Sequence, residues 1–195
     1  MRPASSFVFT CALAIAAAAP ALARFGQENP PVERQLEKFG FNVGLHGDIA
    51  GQIATFSGQI PSTLLGNSDP CAQAKLADRI VHYGESKIRK ASLRKRYNKL
   101  AMTFMAAERN FDPTKAPKFC KDASLPRHKL LRGILPKVDP SRGGPSRGGI
   151  SAAKANRLTA RRLRICLDNP SRCGLAAQGK SIADQMRELG FTDFN

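Results

Sequence analysis

Apolar side chains recur every three or four positions in several stretches of this chain, and helix punctuation bounds each of them. Leu76, Ala77, Ile80 and Val81 share one helical face. Ser68 or Asp69 supplies a cap ahead of it, Pro70 suits a first turn and Gly84 offers a stop. A second helix is expected over residues 85–110, with Leu93, Tyr97, Leu100, Ala101, Phe104 and Met105 on one stripe. A third, over residues 151–167, puts Ala155, Leu158, Ile165 and Cys166 on one side. A last short helix begins at Ser181, with Asp184 three residues on as the return half of a capping box, and ends at Gly190.

Elsewhere the pattern weakens. Residues 39–66 are apolar but broken by Gly40, Gly44, Gly47, Gly51, Gly58 and Gly66, so any helix or strand there should be short. Residues 24–37 carry Asn29, Pro30 and Pro31 among charged neighbours and read as an exposed arm. Residues 112–149 are rich in Pro and Gly and close on a doubled P-S-R-G-G, starting at Pro140 and at Pro145. Two Arg-Gly-Gly triplets with no aromatic residue between them read as a flexible loop over 139–150 rather than an RNA-binding tract. The expected fold class is mainly α: a small disulfide-stabilised helical domain with a Gly-rich N-terminal segment and a Pro/Gly loop. A single basic domain over 38–195 accommodates all of it.

The first residues change the compartment. Arg2, an apolar run over 7–19 and the Ala21, Leu22, Ala23 triplet form the n-region, h-region and cleavage site of a signal peptide over 1–23. The run is shorter than the roughly 20 residues that span a bilayer, so a secreted, extracellular chain without a membrane span is expected. Cys11 leaves with that leader, and Cys71, Cys120, Cys166 and Cys173 remain. An even number of cysteines in an exported chain implies two disulfides. Three pairings are open. Cys71 with Cys120 and Cys166 with Cys173 is favoured, because Asp168, Asn169, Pro170 and Ser171 are good turn chemistry for closing the shorter loop. No C-x-x-C pair is present and no His stands at ligand spacing, so no metal is expected.

Charge supplies the candidate binding surface. Losing Arg2 leaves 30 of the 31 basic residues beside 15 acids, a formal charge of +15. Such an excess attracts anionic partners such as nucleic acid, acidic glycans or phospholipid surfaces. Between positions 87 and 99 stand seven bases and no acid, Arg89, Arg94, Lys95 and Arg96 among them. On the third helix Arg157, Arg161 and Arg164 recur at helical spacing with Lys154. These seven arginines and lysines, Arg89, Arg94, Lys95, Arg96, Arg157, Arg161 and Arg164, are the candidate anion-binding residues. The first cluster also matches a nuclear-import signal, a pattern that short basic runs often meet by chance.

One motif invites a nucleotide. Gly174, Gly179, Lys180 and Ser181 spell G-x-x-x-x-G-K-S, the signature of a phosphate-cradling loop. That loop works by following a buried strand and opening a long helix in an α/β sheet. Here the polar turn "LDNPSRC" precedes it and 14 residues follow Ser181, so Lys180 reads as an exposed lysine, Ser181 as a helix cap, and no cofactor is expected.

The stretches "DPCAQAKLADRIV", "AAERNF", "LRGILPKVDP" and "GKSIADQMRELGFTDF", together with the leader, resemble a group of uncharacterised small secreted proteins of filamentous fungi, of the effector-candidate type. The resemblance covers most of residues 61–195. It brings no catalytic residue, cofactor or substrate, and it implies a secreted protein engaged in host interaction or virulence. Such a protein acts by binding a host or extracellular macromolecule, with uptake into the host cell or its nucleus as a further reach. The basic clusters and the P-S-R-G-G doubling stand apart from the group. Against an enzyme, His46 and Asp48 in "GLHGD", His82 and His128 lack a nucleophile in a strand-turn-helix setting. The expectation is therefore binding rather than catalysis. A cationic protein that grips nucleic acid or acidic glycan is the first alternative, and a hydrolase whose site assembles from distant residues is the second.

Overall fold

The computed structural model describes residues 30–42, 45, 47–109, 116–139 and 149–194. The leader, residues 24–29, His46 and all but the last glycine of the P-S-R-G-G doubling lie outside the described residues. Within them the chain is mainly helical, with seven α-helices: α1 Pro30–Asn42, α2 Asp48–Leu64, α3 Ala72–Lys87, α4 Ala91–Met105, α5 Ala152–Asp168, α6 Pro170–Ala176 and α7 Ile182–Glu188. None is long and apolar enough to cross a membrane. α1 packs on α2, α2 on α3, α3 on α4, and α4 returns to α1; α5 packs on α6 and touches α4.

Two expectations for the N-terminal part are corrected. Residues 30–37 are no exposed arm: they belong to α1, and Val32 and Leu36 are buried with Phe39, whose ring stands 5.5 Å from that of Tyr97. The glycine-broken stretch forms a helix of 17 residues, α2, with Pro61 inside it. Ile53, Phe56, Ile60 and Leu64 fall on its buried face at helical spacing. Gly51 and Gly58 have nothing within 4 Å of where a Cβ would stand, so they weaken the helix locally without interrupting the buried face. Burial of four large side chains, worth about 1.5–3 kcal/mol each, outweighs two glycine penalties of about 1 kcal/mol each.

The boundary between the next two helices also moves. Gly84 does not stop α3, which runs on to Lys87, and α4 starts at Ala91 rather than at Glu85. Gly84 is instead a contact position: an added Cβ would stand 2.4 Å from Cδ1 of the fully buried Tyr97 ring. Replacing Gly84 by Ala should destabilise the protein by about 1–3 kcal/mol, because overpacking exceeds the helix-propensity gain of about 1 kcal/mol. A urea midpoint above that of the unsubstituted chain would contradict this.

Residues 116–139 form no helix or strand, as their composition implies, yet they are core rather than linker. Phe119, Leu125, Leu131, Ile134, Leu135 and Val138 are all buried. A buried irregular chain must find partners for its backbone polar groups, and side chains from the helices supply several. The Asp78 carboxylate accepts from the N–H groups of Arg127 and His128 at 2.8 and 2.9 Å. The Asn156 amide both accepts from Val138 N–H and donates to Val138 O, at 2.7 and 2.6 Å. Gln73 Nε2 donates to Phe104 O and Ala107 O and thereby closes the C-terminal end of α4.

The C-terminal expectations hold closely. Ser181 caps α7 with Asp184 as its reciprocal partner, and Gly190, at φ +89°, ends the turn that follows. Ser151 caps α5. The disulfides are Cys71–Cys120 and Cys166–Cys173, the second closing the corner where Asn169 caps α6. Rings of Phe119, Phe191 and Phe194 cluster at 4.9–6.3 Å and bind the coil to the chain end.

Candidate functional surface

The seven candidate anion-binding residues divide into two groups of different character. Arg89 is exposed but stands in the break between α3 and α4, off any helix face. Arg94 is half-buried, and its Nη1 donates to Ile88 O at 3.1 Å and to Arg89 O at 3.5 Å. A cation against the last carbonyls of a helix complements its negative end, so Arg94 terminates α3 rather than facing a ligand. Lys95 and Arg96 are exposed on α4, with the Arg96 guanidinium 5.8 Å from the centre of the Phe39 ring. The first cluster is therefore not one continuous face.

The second is. Lys154, Arg157, Arg161 and Arg164 are all exposed and follow one another by three, four and three residues along α5, a single stripe about 15 Å long. None of the four forms an ion pair among the described residues. The opposite side of α5 buries Ala152, Ala155, Thr159 and Cys166. Ile165, expected on the apolar side, is 40% exposed beside the stripe, and Thr159 takes the interior place with its hydroxyl donating to Asn156 O at 3.1 Å. Arg162 stands off the stripe: it is half-buried, and burial lowers its pKa against the opposing pull of Glu188. The helix is fixed at its start by the Ser151 cap, in its middle by the Asn156 bonds to Val138 and at its end by Cys166–Cys173. The stripe thus stands on a rigid element.

Around the phosphate-loop signature the local chain is α6, a turn and α7, with no strand before it among the described residues. Ser181 is buried, and its Oγ donates to Asp184 Oδ2 at 2.6 Å and accepts from Asp184 N–H at 3.1 Å. The Ser181 hydroxyl and, at 3.2 Å, the Ser181 backbone N–H both donate to Asp184 Oδ2 and hold that carboxyl below its ordinary range. Lys180, expected to be simply exposed, is paired with Glu188 at 2.7 Å. Among the histidines, His128 Nε2 lies 2.9 Å from Glu85 Oε2 while its Nδ1 accepts from Leu130 N–H, and His82 is exposed. Asp48 stands in the first turn of α2.

One buried cation escaped the sequence reading. Arg109 is 1% exposed, and its guanidinium donates to Pro70 O, Ser68 O, Leu65 O and Ser68 Oγ. Desolvation lowers its pKa to about 10, so it remains charged at neutral pH. Its position near the end of an apolar stripe was the only signal in the sequence.

Comparison with known proteins finds no matching family model, no matching curated protein and no matching solved structure.

Proposed function

We propose that this chain is a secreted, effector-like protein of host interaction that acts by binding an anionic polymer, nucleic acid or acidic glycan, rather than by catalysis. The observation that carries the reading is the α5 stripe, four exposed cations without acid partners among the described residues, on a helix pinned at both ends and at its middle. Successive charges along it are separated by about 5 Å, a spacing that lets several oxyanions of one polymer be met at once without reading its sequence. The two disulfides support an oxidising, extracellular setting. The leader and the resemblance to fungal effector candidates support a role outside the producing cell.

Titration of heparin, single-stranded RNA and duplex DNA across a salt series tests this. Replacing Arg157, Arg161 and Arg164 together by Ala should lower the slope of log affinity against log salt by about 2–3 and weaken all nucleic-acid sequences alike. Affinity insensitive to salt, or an unchanged slope in the folded variant, would show that α5 is only a solvated face. Reproducible turnover of a glycan, lipid, peptide or nucleic-acid substrate would displace the binding reading in favour of a hydrolase.

A further inference from the structure

Four separate stretches of chain converge on a cavity of about 160 Å³ whose wall includes Leu125, Pro126, Arg132, Gly179, Lys180 and Gln185. Two cations line it, and no acid stands among the described residues that do. Arg132 Nε donates to Pro126 O at 3.3 Å, which fixes the plane of the guanidinium and leaves both Nη groups without a partner among the described residues. Lys180 shares its ammonium with Glu188 in a solvent-facing pair that a competing anion can open.

Behind the wall lies an acceptor that solvent does not reach. Gln185 is 1% exposed, and its Nε2 donates to Lys180 O and Ser181 O, both at 3.3 Å. Because both partners are acceptors, the orientation of the amide is settled, and Oε1 is the atom left buried without a donor. The surrounding chain is held in place. Gly133, at φ +83°, has no room for a side chain, since a Cβ would stand 2.6 Å from Cys173 O; the Arg132 segment is thereby clamped against α6. Gly179, at φ +70°, turns the chain between α6 and α7 with open space where a Cβ would be. Gly179 and Lys180 are the last Gly-Lys of the phosphate-loop signature. The cavity is smaller than the roughly 300 Å³ at which drug-sized ligand pockets begin.

We infer that this cavity binds a single phosphate group, as free hydrogen phosphate or as the monoester of a small molecule. Arg132 donates to two phosphate oxygens through its Nη groups, and Lys180 opposes the remaining charge. Sulfate matches the shape and charge of the phosphate group and is expected to compete for the same two cations. The site is independent of the α5 stripe.

Amide NMR titrations of the disulfide-intact chain at neutral pH and constant ionic strength, with inorganic phosphate, glucose 6-phosphate, sulfate and chloride, test the assignment. Saturable shifts confined to residues 123–133 and 177–185 are expected for phosphate or the sugar phosphate, and the tighter of the two identifies the source of the group. Arg132→Gln and Lys180→Gln should each weaken that binding about tenfold while the melting temperature is retained, and the triple Ala variant of α5 should leave it unchanged. Chloride reproducing the shifts, sulfate failing to compete with phosphate, unaltered affinity in Arg132→Gln, or loss of binding in the α5 variant would each overturn it. Failure of heparin binding in the unsubstituted chain would bear on α5 alone.

Discussion

Replacing Arg109 by Met should destabilise the folded chain by about 2–4 kcal/mol, read as a lower urea midpoint with an unchanged slope. Met keeps the length of the side chain and removes the donors. The carbonyls of Leu65, Ser68 and Pro70 and the Ser68 hydroxyl would then lose a charged donor, and each buried acceptor left without one costs about 1–3 kcal/mol unless water reaches it. Relief of the desolvation that lowers the Arg109 pKa offsets part of the loss, which is why the expected figure is smaller than the sum. Arg109→Lys should recover little. A single ammonium cannot reproduce the planar fork that reaches Pro70 O from Nη1 and Ser68 O from Nη2. A Met variant as stable as the parent would mean that the 65–70 turn holds its shape unaided.

Removing the Cys71–Cys120 disulfide by paired Ser substitution should cost about 4 kcal/mol, against about 2.5 kcal/mol for Cys166–Cys173, since the sequence separations are 49 and 7 residues. Denaturation of the two paired variants without reductant gives the comparison. The longer link also joins the segments that Arg109 holds, because Arg109 donates to Pro70 O and, at 3.5 Å, to Lys118 O. Combining Arg109→Met with the paired Ser variant therefore separates two accounts of the disulfide. If the link acts through the unfolded chain, the two losses add; if it acts by holding residues 70–71 against 118–120 in the folded state, the combined loss falls short of their sum. Equal losses from the two disulfides would remove loop length as the controlling quantity.

How much of this was legible in the sequence depends on whether the cause was local. Ser181, Asp184 and Gly190 fix α7 through bonds spanning three residues and one left-handed glycine, and Ser151 fixes the start of α5 in the same way. The positive stripe was readable for the same reason, because a periodicity of 3.6 residues places Arg157, Arg161 and Arg164 on one side of any helix that contains them. The even cysteine count called for two disulfides, and the turn chemistry after Cys166 favoured this pairing among the three that were open. α2 carried its own signal in Ile53, Phe56, Ile60 and Leu64, but its glycines and Pro61 pointed the other way, and only burial against α1 and α3 decides between them.

The sequence by itself determined the helical class, the cap-defined ends of α5 and α7 and the positive stripe, and it favoured one cysteine pairing of three, which the structure settled. Tertiary structure alone decided that Gly84 is a packing position against the buried Tyr97 ring rather than the stop of α3, which runs on to Lys87. It also decided that residues 116–139 are core, because their backbone partners are Asp78 and Asn156, 18 or more residues away in the chain. Arg109 and the cavity of Arg132, Lys180 and Gln185 belong to the same kind. Each depends on which distant polar groups burial leaves in need of a partner, and that need exists only once the chain has closed on itself.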